Sequence, residues 1–317
     1  MRLAQSHRVP ALERTAFSKK GEVLNRNSSI CVREARAEDF ADVHALLLGF
    51  NNHGVTASEW RQLFVDHTGL QKGVFGYVMV DGDEVVGFLA TTIGKRTIRG
   101  KTHRFCNISN WIVKQAYRGR SLDLLSKVVD QHDVTVTALS PAPHVLPILQ
   151  MLRFETLDTS ERIIVPSPLP TSSRKVAILT DQASIEGALD ADSLTIMRHH
   201  TLPYNKHLLV LAPEGSCYVL MNRSYKTIAG NIRVPMGRVH HVSSPDVFIR
   251  YVDRVILAAV TRLRVAALVV NERTLGGRRI WHSIRRPGGP RMGAFRSDEL
   301  RPDDIDGLYS EAVLLNY

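Results

Sequence analysis

Twice along this 317-residue chain, strand-forming and helix-forming stretches follow one another in nearly the same order, which restricts the fold more than any single residue does. The first round begins at Ile30-Cys31-Val32, a short β signal. A helix from about Ala37 places Val43, Leu46, Leu47 and Phe50 on one face. A second opens at Thr56-Ala57-Ser58-Glu59, with Trp60, Leu63 and Phe64 on its apolar side. A meander follows, with strands over 76–80 and 85–93 around an Asp81-Gly82-Asp83-Glu84 turn, then a long strand from about Phe105 to Val113. Residues 118–130 read as a helix, 134–139 as a β-branched strand, 142–152 as a short helix and 154–165 as a last strand. Pro166, Pro168 and Pro170 among Ser and Thr residues then read as a linker.

After the linker the order partly returns. A strand is expected over 176–179, a helix over 184–197, a meander over 217–221, 228–234 and 238–242, a helix over 245–262 and a strand over 266–270. Pro245 suits the first turn of its helix. The expected architecture is α/β, with a domain over 30–165, a linker over 166–174 and a second domain of the same kind over 175–317. Residues 1–29 are basic, polar and aperiodic, and read as a disordered extension.

The formal charge of +10 is unevenly placed. Most of it sits in residues 1–29 and in the Arg-rich stretch 273–296, which contains no acid and over 278–296 reads as a flexible basic loop, so the remaining body is close to neutral. That pattern argues against nucleic-acid binding, which calls for a basic face on a binding module. It fits a local anionic ligand, an acidic carrier protein or a membrane surface. No apolar run approaches the roughly 20 residues of a membrane span, and no signal-peptide core is present, so a cytoplasmic protein is expected. Cys31, Cys106 and Cys217 are far apart and read as buried thiols. No metal is expected either, because His240 and His241, adjacent on a strand, would point to opposite faces.

Chemistry concentrates where the long strand meets its helix. The strand ends in Trp111-Ile112-Val113, and the helix opens with Tyr117-Arg118-Gly119-Arg120-Ser121-Leu122. Unpaired amides and the positive dipole end at such a helix start bind phosphate oxygens. Gly119 allows close backbone approach, Arg118 and Arg120 add charge, and Ser121 adds a donor. This strand–turn–helix segment is similar to the acetyl-CoA motif of the GNAT superfamily of acyl-CoA N-acyltransferases. That motif is a Gln or Arg, two residues, Gly, one residue, then Gly or Ala. Ala116 and Ser121 depart from it and Gly119 keeps it. Downstream, Leu152-Arg153-Phe154 resembles the family's Leu-Gly-Phe.

The resemblance covers residues 30 to about 165 and implies a mixed, mostly antiparallel GNAT-like sheet flanked by helices. With the recurring element order it implies two tandem GNAT-like domains, the second degenerate. It further implies acetyl-CoA or another acyl-CoA as co-substrate. The backbone of Ile112 and Val113 would pair with the pantetheine arm, and Arg118 to Leu122 would hold the pyrophosphate. The acceptor would be an amine, such as an amino sugar or a glycan precursor. The family's usual acid, a Tyr, is replaced by Leu149, and no carboxylate lies between Phe105 and Val113. Asn110, Ser140 and His144 are the catalytic candidates near the splay of the two strands, with Asn107 and Ser109 beside them. His53, Arg285 and Arg286 are candidates for holding the acceptor. Two alternatives stay open: an enzyme that acylates amino acids from an acyl-carrier protein, and a non-catalytic protein that senses acyl-CoA.

Overall fold

In a computed structural model, residues 30–50, 54–167, 176–228, 232–288 and 292–315 are described. The first half runs β1 Cys31–Glu34, α1 Phe40–Leu47, α2 Ala57–Trp60, β2 Gly76–Asp81, β3 Glu84–Ile98 and β4 Lys101–Val113. It continues with α3 Leu122–Val129, β5 Val134–Ala138, α4 Leu146–Met151, β6 Glu155–Leu157 and β7 Glu161–Ile164. Local chemistry fixes several of these starts. Thr56 caps α2 and Glu59 returns the bond to the Thr56 amide at 2.7 Å, a capping box. Ahead of α3, residues 115–120 wind as a tighter 3₁₀ turn, so the helix begins later than its pattern suggests.

The second half runs β8 Ala177–Leu179, α5 Gln182–Glu186, α6 Ala191–His199, β9 Asn205–Ala212, β10 Gly215–Ile228 and β11 Ile232–Val242. Then come α7 Pro245–Arg250, α8 Val252–Leu263, β12 Ala267–Asn271, β13 Ser283–Arg286, β14 Gly293–Arg296 and α9 Glu311–Leu314. Several expectations change here, and the helix expected over 184–197 is two, α5 and α6. The meander gains β9, whose Leu208, Leu209 and Val210 are buried on both faces and so show no alternation. The segments expected over 228–234 and 238–242 meet in one strand, β11, from Ile232 on, and Pro235 pairs with Tyr225 without breaking the ladder. The Arg-rich stretch expected to be a loop contains two strands, β13 and β14.

Two mixed seven-stranded sheets result, in the orders β1-β2-β3-β4-β5-β14-β6 and β13-β7-β12-β11-β10-β9-β8. The only parallel neighbours among these described strands are β4 with β5 and β11 with β12. Strands β1 to β5 and β8 to β12 therefore repeat one pattern. Two of the remaining strands are exchanged: β14, from the second half of the chain, pairs with β5 and β6, while β7, from the first, pairs with β12 and β13. The single strand expected over 154–165 is thus two strands in different sheets.

A closing segment, residues 305–315, lies between the halves. Gly307 donates its amide to the His240 carbonyl at 3.0 Å, and Asp306 meets Arg96 at 3.0 Å and His241 at 2.8 Å. Asn222 donates to the Ala312 carbonyl at 2.7 Å. Leu314 and Leu315 then enter the core of the first half, beside Trp60 and Phe64. Of the cysteines, Cys106 and Cys217 are buried, whereas Cys31 is exposed because its strand lies at the sheet edge.

Candidate active site

Strand β4 pairs with β5 only from Arg104 to Asn107. Beyond Asn107 the two strands part, and a β-bulge marks the divergence. Between the pairs Ala90–Ser109 and Phe88–Ile112, the two residues Asn110 and Trp111 stand opposite Leu89 alone. Asn110 sits at φ 51°, a left-handed conformation that Asn tolerates better than most residues. The bulge bends β4, so Ile112 and Val113 lie on an edge that β5 no longer covers.

A cavity of about 550 Å³ fills the gap. Trp60, Leu89, Ile108, Ala138 and Leu149 make its apolar wall, and Ser109, Asn110, Ser140 and His144 are its polar edge. Leu149, where the resemblance expects Tyr, is fully buried and supplies no hydroxyl. Three polar atoms here, Ser109 Oγ, Asn110 Oδ1 and Trp111 Nε1, are buried without a hydrogen-bond partner among the described residues. Each such atom costs about 1–3 kcal/mol if left unpaired. They mark a place where a polar ligand would be received.

The carboxylate missing from β4 arrives from the far end of the chain. Glu311, the first residue of α9, is 2% exposed and reaches the splay. Asn107 Nδ2 donates to Glu311 Oε2 at 3.0 Å, and the Ser140 hydroxyl donates to Oε1. Thr137 in turn donates to Asn107 Oδ1 at 3.1 Å, which fixes the Asn107 amide with its nitrogen toward Glu311. Ser140 and Asn110, candidates from sequence, thus line one cavity, and Ser140 touches the carboxylate directly. His144 stands exposed at the rim.

Residues 118–122 lie outside this cavity. Arg118, Gly119, Arg120 and Leu122 are exposed, and a Cβ on Gly119 would meet nothing within 4 Å, so the space above it is open. Arg120 is turned aside, with Nε on Asp123 at 2.8 Å. That pairing lowers the positive charge the turn offers to a phosphate. Asp123, in the first turn of α3, is the reason.

A second cavity of about 620 Å³ lies between the two sheets and shares Ser140 and Glu311 with the first. Arg238, Arg286 and His240 also line it. Burial, followed by the nearby Arg238 and His200, lowers the His240 pKa to about 3, so its ring is neutral. Of the residues expected to hold an acceptor, Arg286 lines this cavity. Arg285 faces Glu272 at 3.5 Å and does not line it, because neighbours on β13 point to opposite faces. His53 lies outside the described residues. No group of three His, Cys, Asp or Glu side chains that could hold a metal ion occurs among the described residues, and no described helix is long and apolar enough to cross a membrane.

A mixed sheet that splays behind a bulge, followed by a second mixed sheet with a matching strand order, defines an α/β fold of two sheets. The particular fold is similar to that of solved GCN5-related N-acetyltransferases. A conserved protein of Enterococcus faecalis aligns at 14% identity over 84% of this chain and 72% of that one, with a TM-score of 0.55. A GCN5-related N-acetyltransferase from Kribbella flavida aligns at 14% identity over 85% and 71% of the two chains, with a TM-score of 0.55. Another from Anabaena variabilis aligns at 14% identity over 84% and 72%, with a TM-score of 0.53. At these identities the likeness concerns the fold. No family model and no curated protein sequence matches the chain.

Proposed function

We propose that this protein is an N-acyltransferase that moves an acyl group from acyl-CoA to an amine, with Glu311 as the general base. The observation that carries this reading is that the Glu311 carboxylate lines both cavities, at their common boundary. The cavity in the splay would take the acyl-CoA, as the tandem GNAT-like arrangement suggests, and the inter-sheet cavity would take the acceptor. The open edge at Ile112 and Val113 and the unpartnered atoms of Ser109 and Asn110 support binding of a pantetheine arm there. Arg118, Gly119, Ser121 and Leu122 are the residues for the pyrophosphate, with Arg120 reaching it only after leaving Asp123.

Bound there, acyl-CoA supplies a thioester as the activated acyl donor. The protein's part is then positioning and proton transfer. Glu311 accepts a proton from the amine nitrogen as that nitrogen bonds to the acyl carbon and the carbon–sulfur bond breaks. Asn107 and Ser140 hold the carboxylate in place. Backbone amides on the bent end of β4 face the developing oxyanion. Leu149 leaves no side-chain acid on α4, so the thiolate takes its proton at the rim, beside exposed His144.

Thermal shift with acetyl-CoA, longer acyl-CoAs and free CoA tests the donor site, and release of free thiol with a panel of amines tests transfer. Glu311→Gln is expected to lower kcat by about 10²–10⁴-fold while keeping the shift. Full turnover in that variant sinks the assignment. Stabilisation by CoA without thiol release for any amine would favour the acyl-CoA sensor instead.

A further inference from the structure

The inter-sheet cavity is lined by Arg238, Arg273 and Arg286 and by Glu161, Asp306 and Glu311, and because Asp306 pairs with Arg96 and His241, Glu161 alone answers Arg238 and Arg286. Five cations, Arg162, Lys226, Arg238, Arg285 and Arg286, carried by strands β7, β10, β11 and β13, gather around two carboxylates, Glu161 and Glu272. Arg238 is ion-paired with Glu161, and Arg286 stands 3.6 Å from the other oxygen of that carboxylate. Arg162 and Arg285 face each other directly across the β7–β13 ladder and share Glu272. Like charges in opposed positions repel. Lys226 Nζ is shielded and has no hydrogen-bond partner among the described residues. Its pKa is lowered, first by burial and then by Arg286.

Only part of this group opens to the cavity. Arg238, Arg286 and Glu161 line it, as do Ser140 and Glu311. His240 lines it too, 5% exposed, with Nε2 unpartnered among the described residues. A neutral imidazole held this way offers one more polar contact to whatever occupies the cavity. At about 620 Å³ the space suits a small molecule rather than a folded partner.

We infer that Arg238 and Arg286 form an anion subsite for the acceptor, so that the acceptor is a small amine also bearing a carboxylate or a phosphate. Its anionic group pairs with the two guanidinium groups, which suit planar, two-point contacts with such oxygens. Its amine is thereby directed toward Glu311. This rests on the acyl-transfer reading for the fate of the amine, but the anion subsite stands or falls by binding alone.

Calorimetric titration of the CoA-saturated protein tests it with two matched pairs: glucosamine 6-phosphate against glucosamine, and alanine against alaninamide. The charged member of at least one pair is expected to bind about tenfold or more tightly, the worth of a charge-assisted hydrogen bond. The pair that shows the preference tells phosphate from carboxylate. Arg286→Gln, at a half-exposed position where folding is not at risk, is expected to bring that ratio toward one. Glu161→Gln, which removes the competing carboxylate, is expected to raise it. Equal binding of charged and neutral members in both pairs, or a preference that survives Arg286→Gln and Arg238→Gln, overturns the inference. Absence of thiol release with any of the four amines, when the charged ones bind, refutes the acyl-transfer reading and leaves the subsite in place.

Discussion

Glu311 owes its position to a few close fits, and Gly94 is one of them. A Cβ on Gly94 would overlap the ring of Tyr309, two residues before Glu311. Tyr309 itself sits at φ 58° and its hydroxyl donates to the Lys95 carbonyl at 3.2 Å, so it cannot easily give way. Gly94→Ala is therefore expected to destabilise the protein by about 1–3 kcal/mol, as overpacking does, and to lower kcat because the carboxylate is displaced. Chemical denaturation and steady-state kinetics would check it; wild-type values for both would mean that the closing segment is not held by this contact. Little of this was legible in the sequence. Asn107, Asn110, Ser140 and His144 could be named because they flank a recognisable strand–turn–helix. Glu311 could not, since it lies 204 positions from Asn107, on a helix of four residues, with no motif around it.

At the level of elements, the bend in β4 is the working part. Its amides beyond Asn107 have no partner strand on the β5 side, so they exchange with solvent more readily than those at 104–107. Hydrogen exchange is expected to slow at 109–113 when acyl-CoA binds, with little change at 104–107. Uniform protection across β4, or none, would separate the ligand from this edge. The order β1 to β5 was readable because the strands are bounded by turn residues such as Asp81-Gly82-Asp83 and Arg99-Gly100. Strands β6, β7, β13 and β14 were not, because their pairing is decided by contacts more than a hundred residues apart and leaves no local signal. Tyr251 shows the same limit on a smaller scale: it interrupts the helix expected over 245–262, and its hydroxyl donates to Glu214 at 2.9 Å.

For the molecule as a whole, the exchange of β7 and β14 ties the two sheets into one unit. A single calorimetric unfolding transition is expected, and two well-separated ones would show that the halves stand alone. A set of buried histidines makes that unit sensitive to acid. Burial, the leading cause in each case, lowers the pKa of His200 and His240 to about 3 and of His207 to about 4. They stay neutral in the folded chain, whereas the unfolded chain takes up protons near pH 6.5. Their contribution is therefore intact above pH 6.5 and is lost as pH falls toward 4, by up to about 1.4 kcal/mol per histidine per pH unit. Denaturation midpoints should drop steeply over that window, and less so in His240→Gln; a flat profile between pH 6.5 and 4 would contradict the burial of these rings as neutral groups.

The exchanged strands also set an order of events during synthesis. As the chain leaves the ribosome, the first sheet must wait for β14 before β5 and β6 are joined, and the splay must wait longer still for Glu311. A nascent chain halted before residue 293 would leave β5 and β6 unjoined, and one halted before residue 311 would leave Asn107 and Ser140 without their carboxylate partner. The first half therefore reaches its final form only after most of the second half has been made.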